Sequence, residues 1–266
     1  MEKSTIIGII LGIAAITIGM VLKGAPLDAL YNPAAFMIIF VGTAASIFMA
    51  FPMSELAKVP KLFKIIFKQQ QVINRTELIR LFTEWASITR REGLLALEAK
   101  VEEIDDDFMR NGMRMIIDGN EQDFVRDVLM ENINATETRH RAGALIFAQA
   151  GMYAPTLGVL GAVIGLIAAL SDMSSMEHLT HAIAAAFIAT LLGIFTGYVI
   201  WHPLANKLKR LSEREIQVRL MMVEGLLSIQ SGVSTIAIGQ KLAVFLTPAE
   251  RVKMEEKGES GGEQKE

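Results

Sequence analysis

The chain of 266 residues is 52% hydrophobic, contains no cysteine and carries a formal net charge of −3. These values exclude a disulfide framework, a thiol nucleophile and a cysteine metal site, and neither sign of charge dominates enough to point to nucleic acid. The charges are also segregated. They fall almost entirely within 54–141 and after Pro203, so lipid-like and water-like blocks alternate along the chain.

The first apolar run covers 4–22 (STIIGIILGIAAITIGMVL) and the second 32–51 (NPAAFMIIFVGTAASIFMAF). Each matches the ~20 residues that an α-helix needs to cross a bilayer. The first is too long for a signal-peptide core, follows a weak n-region of Glu2 and Lys3, and precedes no A-x-A cleavage site, so it reads as a helix that stays.

Pro52 ends the second run and opens a helical insertion, 54–150. Lys58, Lys61, Lys64 and Lys68 alternate with Leu62, Phe63, Ile66 and their apolar neighbours, a basic amphipathic helix suited to an anionic membrane surface. Helical periodicity returns over 75–91, breaks at Gly93 and resumes at Leu94. The acidic run 102–107 favours a helix start, and Asp118-Gly119-Asn120 marks a turn. From Glu121 the pattern continues without interruption into the third apolar helix.

That third helix (153–172) and the fourth (182–202) have no Asp, Glu, Lys or Arg at their centres. A helical extension over 203–248 follows, broken at Ser231-Gly232, and 249–266 reads as a disordered tail. Lys3, the fourteen basic residues from Lys58 to Arg141 and the ten after Pro203 share one side of a membrane, leaving only Lys23 on the other. The positive-inside rule then puts both termini and the insertion in the cytoplasm. The expected fold is an all-α membrane protein: four transmembrane helices, a large cytoplasmic helical insertion between the second and third, and a cytoplasmic helical tail.

Small residues recur at Ala185, Ala189, Gly193 and Gly197 on the fourth helix and at Ala154, Gly158, Ala162 and Gly165 on the third. Such ridges let membrane helices approach closely. Intrachain packing accounts for any single one, while two on adjacent helices point to assembly around a further helix. Thr190 is the hydroxyl nearest the middle of the fourth helix. It either bonds the carbonyl one turn back or lines an ion path, and Ala162, at matching depth, has no oxygen to add. Pro155 and Pro203 stand where the membrane helices meet their extensions, as static kinks or as hinges. No Asp, Glu, Lys or Arg lies in the interior of the spans, so a protein driven by an ion gradient must take its binding carboxylate from a partner. Arg90 and Glu98 read as part of a solvated face. His140 and His202 lie in helices and His178 and His181 in a short outer connection, which with Glu177 make a poor metal site. No HExxH, GxSxG, Walker A or dinucleotide motif is present, so neither metal, cofactor nor catalysis is expected.

The element order and the stretches NPAAFMIIFVGT, WASITRREGLLALE, QAGMYAPTLGVLGAVIGLIAAL and FIATLLGIFTGYVIWHPLANKL resemble the MotA family of flagellar motor stator subunits, in its Gram-positive, bacillus-like form. The resemblance runs to Pro248. It implies a pentameric ring in the cytoplasmic membrane around a MotB-type single-span partner, whose membrane aspartate binds the ion. It also implies a push on the rotor switch-complex protein through Arg90 and Glu98, a hinge at Pro155 and Pro203, and an ion path lined by the third and fourth helices near Ala162 and Thr190. Sodium-driven relatives carry Thr where this chain has Ala162, so protons are the expected coupling ion. Two other classes stay open: an ExbB- or TolQ-like energiser of another membrane process, and a self-contained channel or permease.

Overall fold

A computed structural model describes residues 3–68, 74–171 and 176–254, and every regular element among them is helical. Four helical stretches, Lys3–Leu22, Leu27–Ala50, Gln122–Ser171 and Leu179–Gln230, are long and apolar enough to cross a membrane. Helix α1 (Lys3–Leu22) is apolar all round and buries only Met20, the pattern of a span that faces lipid on most sides. A 3₁₀ turn (Leu27–Leu30) leads to α2 (Pro33–Phe36). Asn32 caps α2 by accepting the Ala35 N–H at 3.1 Å, and Pro33 takes the first turn, where no backbone donor is needed. The rod continues through a π turn (Met37–Val41) into α3 (Gly42–Ala50) and stops at Phe51, which the following Pro52 holds extended.

Next come α4 (Met53–Leu56) and α5 (Val59–Phe67), then α6 (Arg75–Glu92). Gly93, at φ +86°, supplies the left-handed turn into a 3₁₀ segment (Leu94–Leu97) and α7 (Glu98–Glu102). Helix α8 (Asp107–Ile117) is capped by Asp106, which accepts the Met109 N–H at 2.9 Å. Helix α9 (Gln122–Ser171) runs 50 residues through Pro155. Helix α10 (Met176–Phe195), a π turn (Thr196–Trp201) and α11 (His202–Gln230) follow, and α12 (Thr235–Ala243) comes after a turn at Gly232, φ +66°.

The chain divides into two compact units, 1–70 with 139–211 and 71–138 with 212–266. The division departs from the expected 54–150 insertion: 54–70 and 139–150 belong with the apolar helices, and 212–254 joins the middle of the chain. In the first unit the apolar face of α5 is covered by the chain itself. Ile66 is fully buried, Phe63 meets Phe147 edge-on at 5.0 Å, and Leu62 lies over Gly143. The face expected to lie in a membrane surface is therefore used for protein packing, and its lysines point outward.

The second unit has a core like that of a soluble domain. Phe82 and Trp85 pack edge-on at 5.7 Å among Met113, Met221, Leu226 and Leu227. Arg219 donates to Asn132 Oδ1 at 3.2 Å, Thr136 Oγ1 at 3.1 Å and Glu215 Oε1 at 2.8 Å, and its guanidinium stands over the Phe108 ring. Those contacts join α8, α9 and α11 by directional bonds where the apolar core alone would let them slide.

Two further sequence expectations need correction. Residues 176–181, expected in a connection, form the first turns of α10. Pro248 does not end regular structure, since residues 248–254 are helical. Glu250 accepts the Thr247 N–H and Oγ–H at 2.8 Å each, and the Glu250 N–H donates back to Thr247 Oγ1, a reciprocal cap. The Thr247 N–H, then its hydroxyl, hold the Glu250 carboxyl below its usual range; burial opposes them, and Arg75 and Lys253 add weaker attraction. Asp172 and the tail over 255–266 lie outside the described residues.

Gly225 sits under the Phe82 ring, where a β-carbon would stand 2.7 Å from ring atoms. Gly225→Ala is expected to destabilise the protein by about 1–3 kcal/mol through overpacking. The check is a lowered thermal midpoint in detergent, partly restored when Phe82→Leu is added.

Candidate ion-path and coupling site

The third and fourth apolar helices are held together by an absence of side chains. A β-carbon on Gly193 would lie 2.7 Å from Gly158 Cα and 2.8 Å from the Ala154 carbonyl oxygen. One on Gly158 would lie 2.9 Å from Gly193 Cα and 2.8 Å from the Ala189 oxygen. Here backbone meets backbone, and no rotamer change can relieve a clash. The seam runs on as Gly161 against Ala189 and Gly165 against Ala186 in one direction, and as Gly197 against Pro155 and Gly151 against His202 in the other.

The ridges therefore face each other within one chain, the intrachain packing that the sequence offered for any single small residue. Membership also shifts. Gly161 and Ala186 stand in the seam, while Ala162 and Ala185 stand beside it, and the Ala185 carbonyl accepts from Asn32 Nδ2 at 3.4 Å.

Ala162 and Thr190 each follow a seam residue, Gly161 and Ala189, that meet at the same depth. On two antiparallel right-handed helices the next residue turns toward the same flank, so the structure brings these two expected path residues to one side at one level. Both are half-buried. Thr190 Oγ1 donates to the Ala186 carbonyl at 3.4 Å, the local bond that an isolated helical threonine makes. Residues 142–171 and 182–206 contain no Asp, Glu, Lys or Arg, so this flank has no carboxylate of its own.

Pro155 and Pro203 are not equivalent. Pro155 lies inside α9 with its ring against Gly197: a β-carbon there would be 2.6 Å from Pro155 Cγ. Pro203 is exposed near the start of α11, just beyond the π turn Thr196–Trp201. The His202 N–H donates to the Gly197 carbonyl, five residues back, so the backbone changes register one residue before the proline that has no N–H to give. The irregularity expected at Pro203 is thus carried by a π turn, and Pro155 touches it. Sequence reading missed both π turns; the only local signs were Gly42 and Gly197 within apolar runs. It also missed Thr43, just after the first π turn. Thr43 is buried, and its hydroxyl has no partner among the described residues.

Arg90 and Glu98 belong to the other unit. Arg90 lies in the last turn of α6 and Glu98 opens α7, on either side of Gly93. Both side chains are exposed, and neither enters an ion pair among the described residues. Lys100 pairs with Glu84 at 3.3 Å, tying α7 back to α6 beneath them. Leu95, 71% exposed, stands between the two charges and was not singled out from sequence. No group of three or more His, Asp or Glu close enough to hold a metal occurs among the described residues, and the side chain of His178 lies outside them.

Substitutions along the seam separate these contacts. Gly193→Ala should cost about 1–3 kcal/mol, because only backbone can move, whereas Gly161→Ala, whose new carbon would meet Ala189 Cβ at an ordinary 3.4 Å, should stay within about 0.5 kcal/mol. Thermal midpoints in one detergent decide it, and equal losses would overturn the seam assignment.

Comparison with known proteins agrees with this arrangement. The profile of the MotA/TolQ/ExbB proton channel family matches residues 100–221, and that of the motility protein A N-terminal region matches residues 6–93. Motility protein A of Bacillus subtilis is 55% identical over 267 residues, covering 100% of this chain and 99% of its own. Motility protein A of Helicobacter pylori is 35% identical over 260 residues, covering 97% and 100%. A chain in the structure of the flagellar MotAB stator complex from Bacillus subtilis superposes with a TM-score of 0.89 at 55% identity, covering 94% of this chain and 98% of that one. With four membrane-capable helices, a charge-free glycine seam and full-length similarity to motility protein A, the chain belongs to the MotA/TolQ/ExbB proton channel family.

Proposed function

We propose that the chain is a stator subunit of the bacterial flagellar motor, converting proton flow into torque on the rotor. The observation that carries this reading is the full-length match, in sequence and in fold, to the chain of a flagellar MotAB stator complex. It is not an enzyme: its relatives are motility and stator proteins of a proton channel family. In this reading the four apolar helices cross the cytoplasmic membrane, with both termini, the helical insertion and the tail on the cytoplasmic side. The distribution of Lys and Arg supports that orientation.

The seam has no carboxylate, so the ion-binding aspartate belongs to a MotB-type single-span partner, around which copies of this chain form a ring, in our reading a pentamer. The cycle begins when the partner acid takes a proton from outside and becomes neutral. It can then shift along the apolar flank near Ala162 and Thr190, where a charge would be costly. Release of the proton inward restores the charge and advances the ring. Protons are favoured over sodium because Thr190 is the only hydroxyl of this pair and is turned to its own helix. One charge crossing about 100 mV supplies roughly 2.3 kcal/mol. Exposed ion pairs of about 0–1 kcal/mol each suit a rotor grip that is made and broken at every step. Arg90 and Glu98, exposed and unpaired with each other, fit that role, and Leu95 adds an apolar contact between them. Pro155 and the π turn before Pro203 supply a point of flexion, because irregular backbone bonds rearrange at lower cost than α-helical ones.

Deletion of the gene, scored by filament staining and swimming, should leave flagellated but paralysed cells that the gene rescues. Normal swimming, with no second stator gene compensating, would overturn the reading in favour of a ring that drives another process. In complemented cells Arg90→Glu should lower torque with membrane assembly intact; loss of assembly would remove Arg90 from the rotor contact. Leu at both Pro155 and Pro203 should cut torque and alter proton flux, and normal torque would remove the hinge.

A further inference from the structure

In the first unit, α5 presents two unlike faces. Its apolar side is spent on the protein: Ile66 is fully buried, and Phe63 packs on Phe147 and on Trp201 at 6.5 Å. Lys58, Lys61, Lys64 and Lys68 lie together on the other side, all exposed, and none enters an ion pair among the described residues.

Two observations fix what this lysine face meets. First, its level: α5 starts nine residues after Ala50, the end of the second apolar stretch, and packs where α9 and α11 pass from charged to apolar sequence, beside Trp201. Tryptophan favours the boundary between hydrocarbon and water. Second, its surroundings: segment 51–68 holds Lys58, Lys61, Lys64 and Lys68 against a single carboxylate, Glu55.

We propose that the lysine face of α5 is a binding site for anionic phospholipid headgroups at the membrane boundary. The inference rests on the membrane placement proposed above and goes beyond it. The lysines are held in a row by a helix whose other face cannot rotate, because turning it would expose Ile66 and Phe63. Headgroup phosphates therefore meet a preset line of ammonium groups, and the lipid anchors this end of the subunit laterally.

The test uses the full chain in phosphatidylcholine vesicles containing brominated phosphatidylglycerol or brominated phosphatidylcholine, read by quenching of Trp201. Trp85, 3% exposed in the core of the other unit, adds unquenched background. Phosphatidylglycerol should be preferred at least about fivefold, the effect of one lysine close to an anionic surface, and the preference should fall with salt. Replacing all four lysines (Lys58→Gln, Lys61→Gln, Lys64→Gln, Lys68→Gln) should abolish the preference, and the matching set of Lys→Arg changes should keep it. Equal quenching by the two lipids, or a preference that survives the glutamines, overturns the site while leaving the membrane placement intact. Absence of quenching by either lipid overturns the placement and the site with it.

Discussion

The structure of the membrane-capable unit depends on the closeness of α9 and the α10–α11 rod at Gly158 and Gly193. Backbone atoms there lie where any side chain would stand. In an apolar environment little hydrophobic force drives helices together, so close packing of bare backbone has to do it. The consequence is chemical as well as mechanical. Around Gly158 and Gly193 the seam is glycine and alanine with no carboxylate or amine, and the hydroxyl that flanks it, Thr190, bonds its own helix.

The same constraint governs the irregular turns. Breaking backbone hydrogen bonds is costly away from water, so a proline in an apolar rod needs local compensation. The fourth helix widens into a π turn before Pro203 and sets that turn against Pro155 across the seam. The second helix widens at Met37–Val41, and its Gly42 lies beneath Leu157 of α9. Both π turns thus lean on α9 within a few residues of Pro155, concentrating the adaptable backbone of this unit at one level.

The second unit follows the rules of soluble packing. It buries large side chains, Phe82, Trp85, Met221 and Met222 among them, and orders the helices with one arginine, Arg219, that has several partners. Arg90 and Glu98 stand on a tight turn built by Gly93, and the Lys100–Glu84 pair braces the turn from behind.

The four apolar stretches, the all-helical class, the breaks at Gly93, Gly119 and Gly232 and the lack of Asp, Glu, Lys or Arg at the centres of the third and fourth apolar helices were all legible in the sequence. Each rests on local physics: hydropathy over about 20 residues, helical periodicity or the conformational freedom of glycine. Which small residues face each other was not legible. A ridge read at every fourth position drifts around a helix of 3.6 residues per turn, so it chose Ala162 where the contact uses Gly161. The amphipathic pattern of α5 could equally face lipid or protein; only the positions of Phe147 and Trp201 decided that it packs inward. The π turns and the division of the insertion between two units likewise came from tertiary structure, because each depends on a partner distant in the chain or on a bond register that composition does not encode; the helix after Pro248, by contrast, starts on a local Thr247–Glu250 cap that the sequence reading passed over.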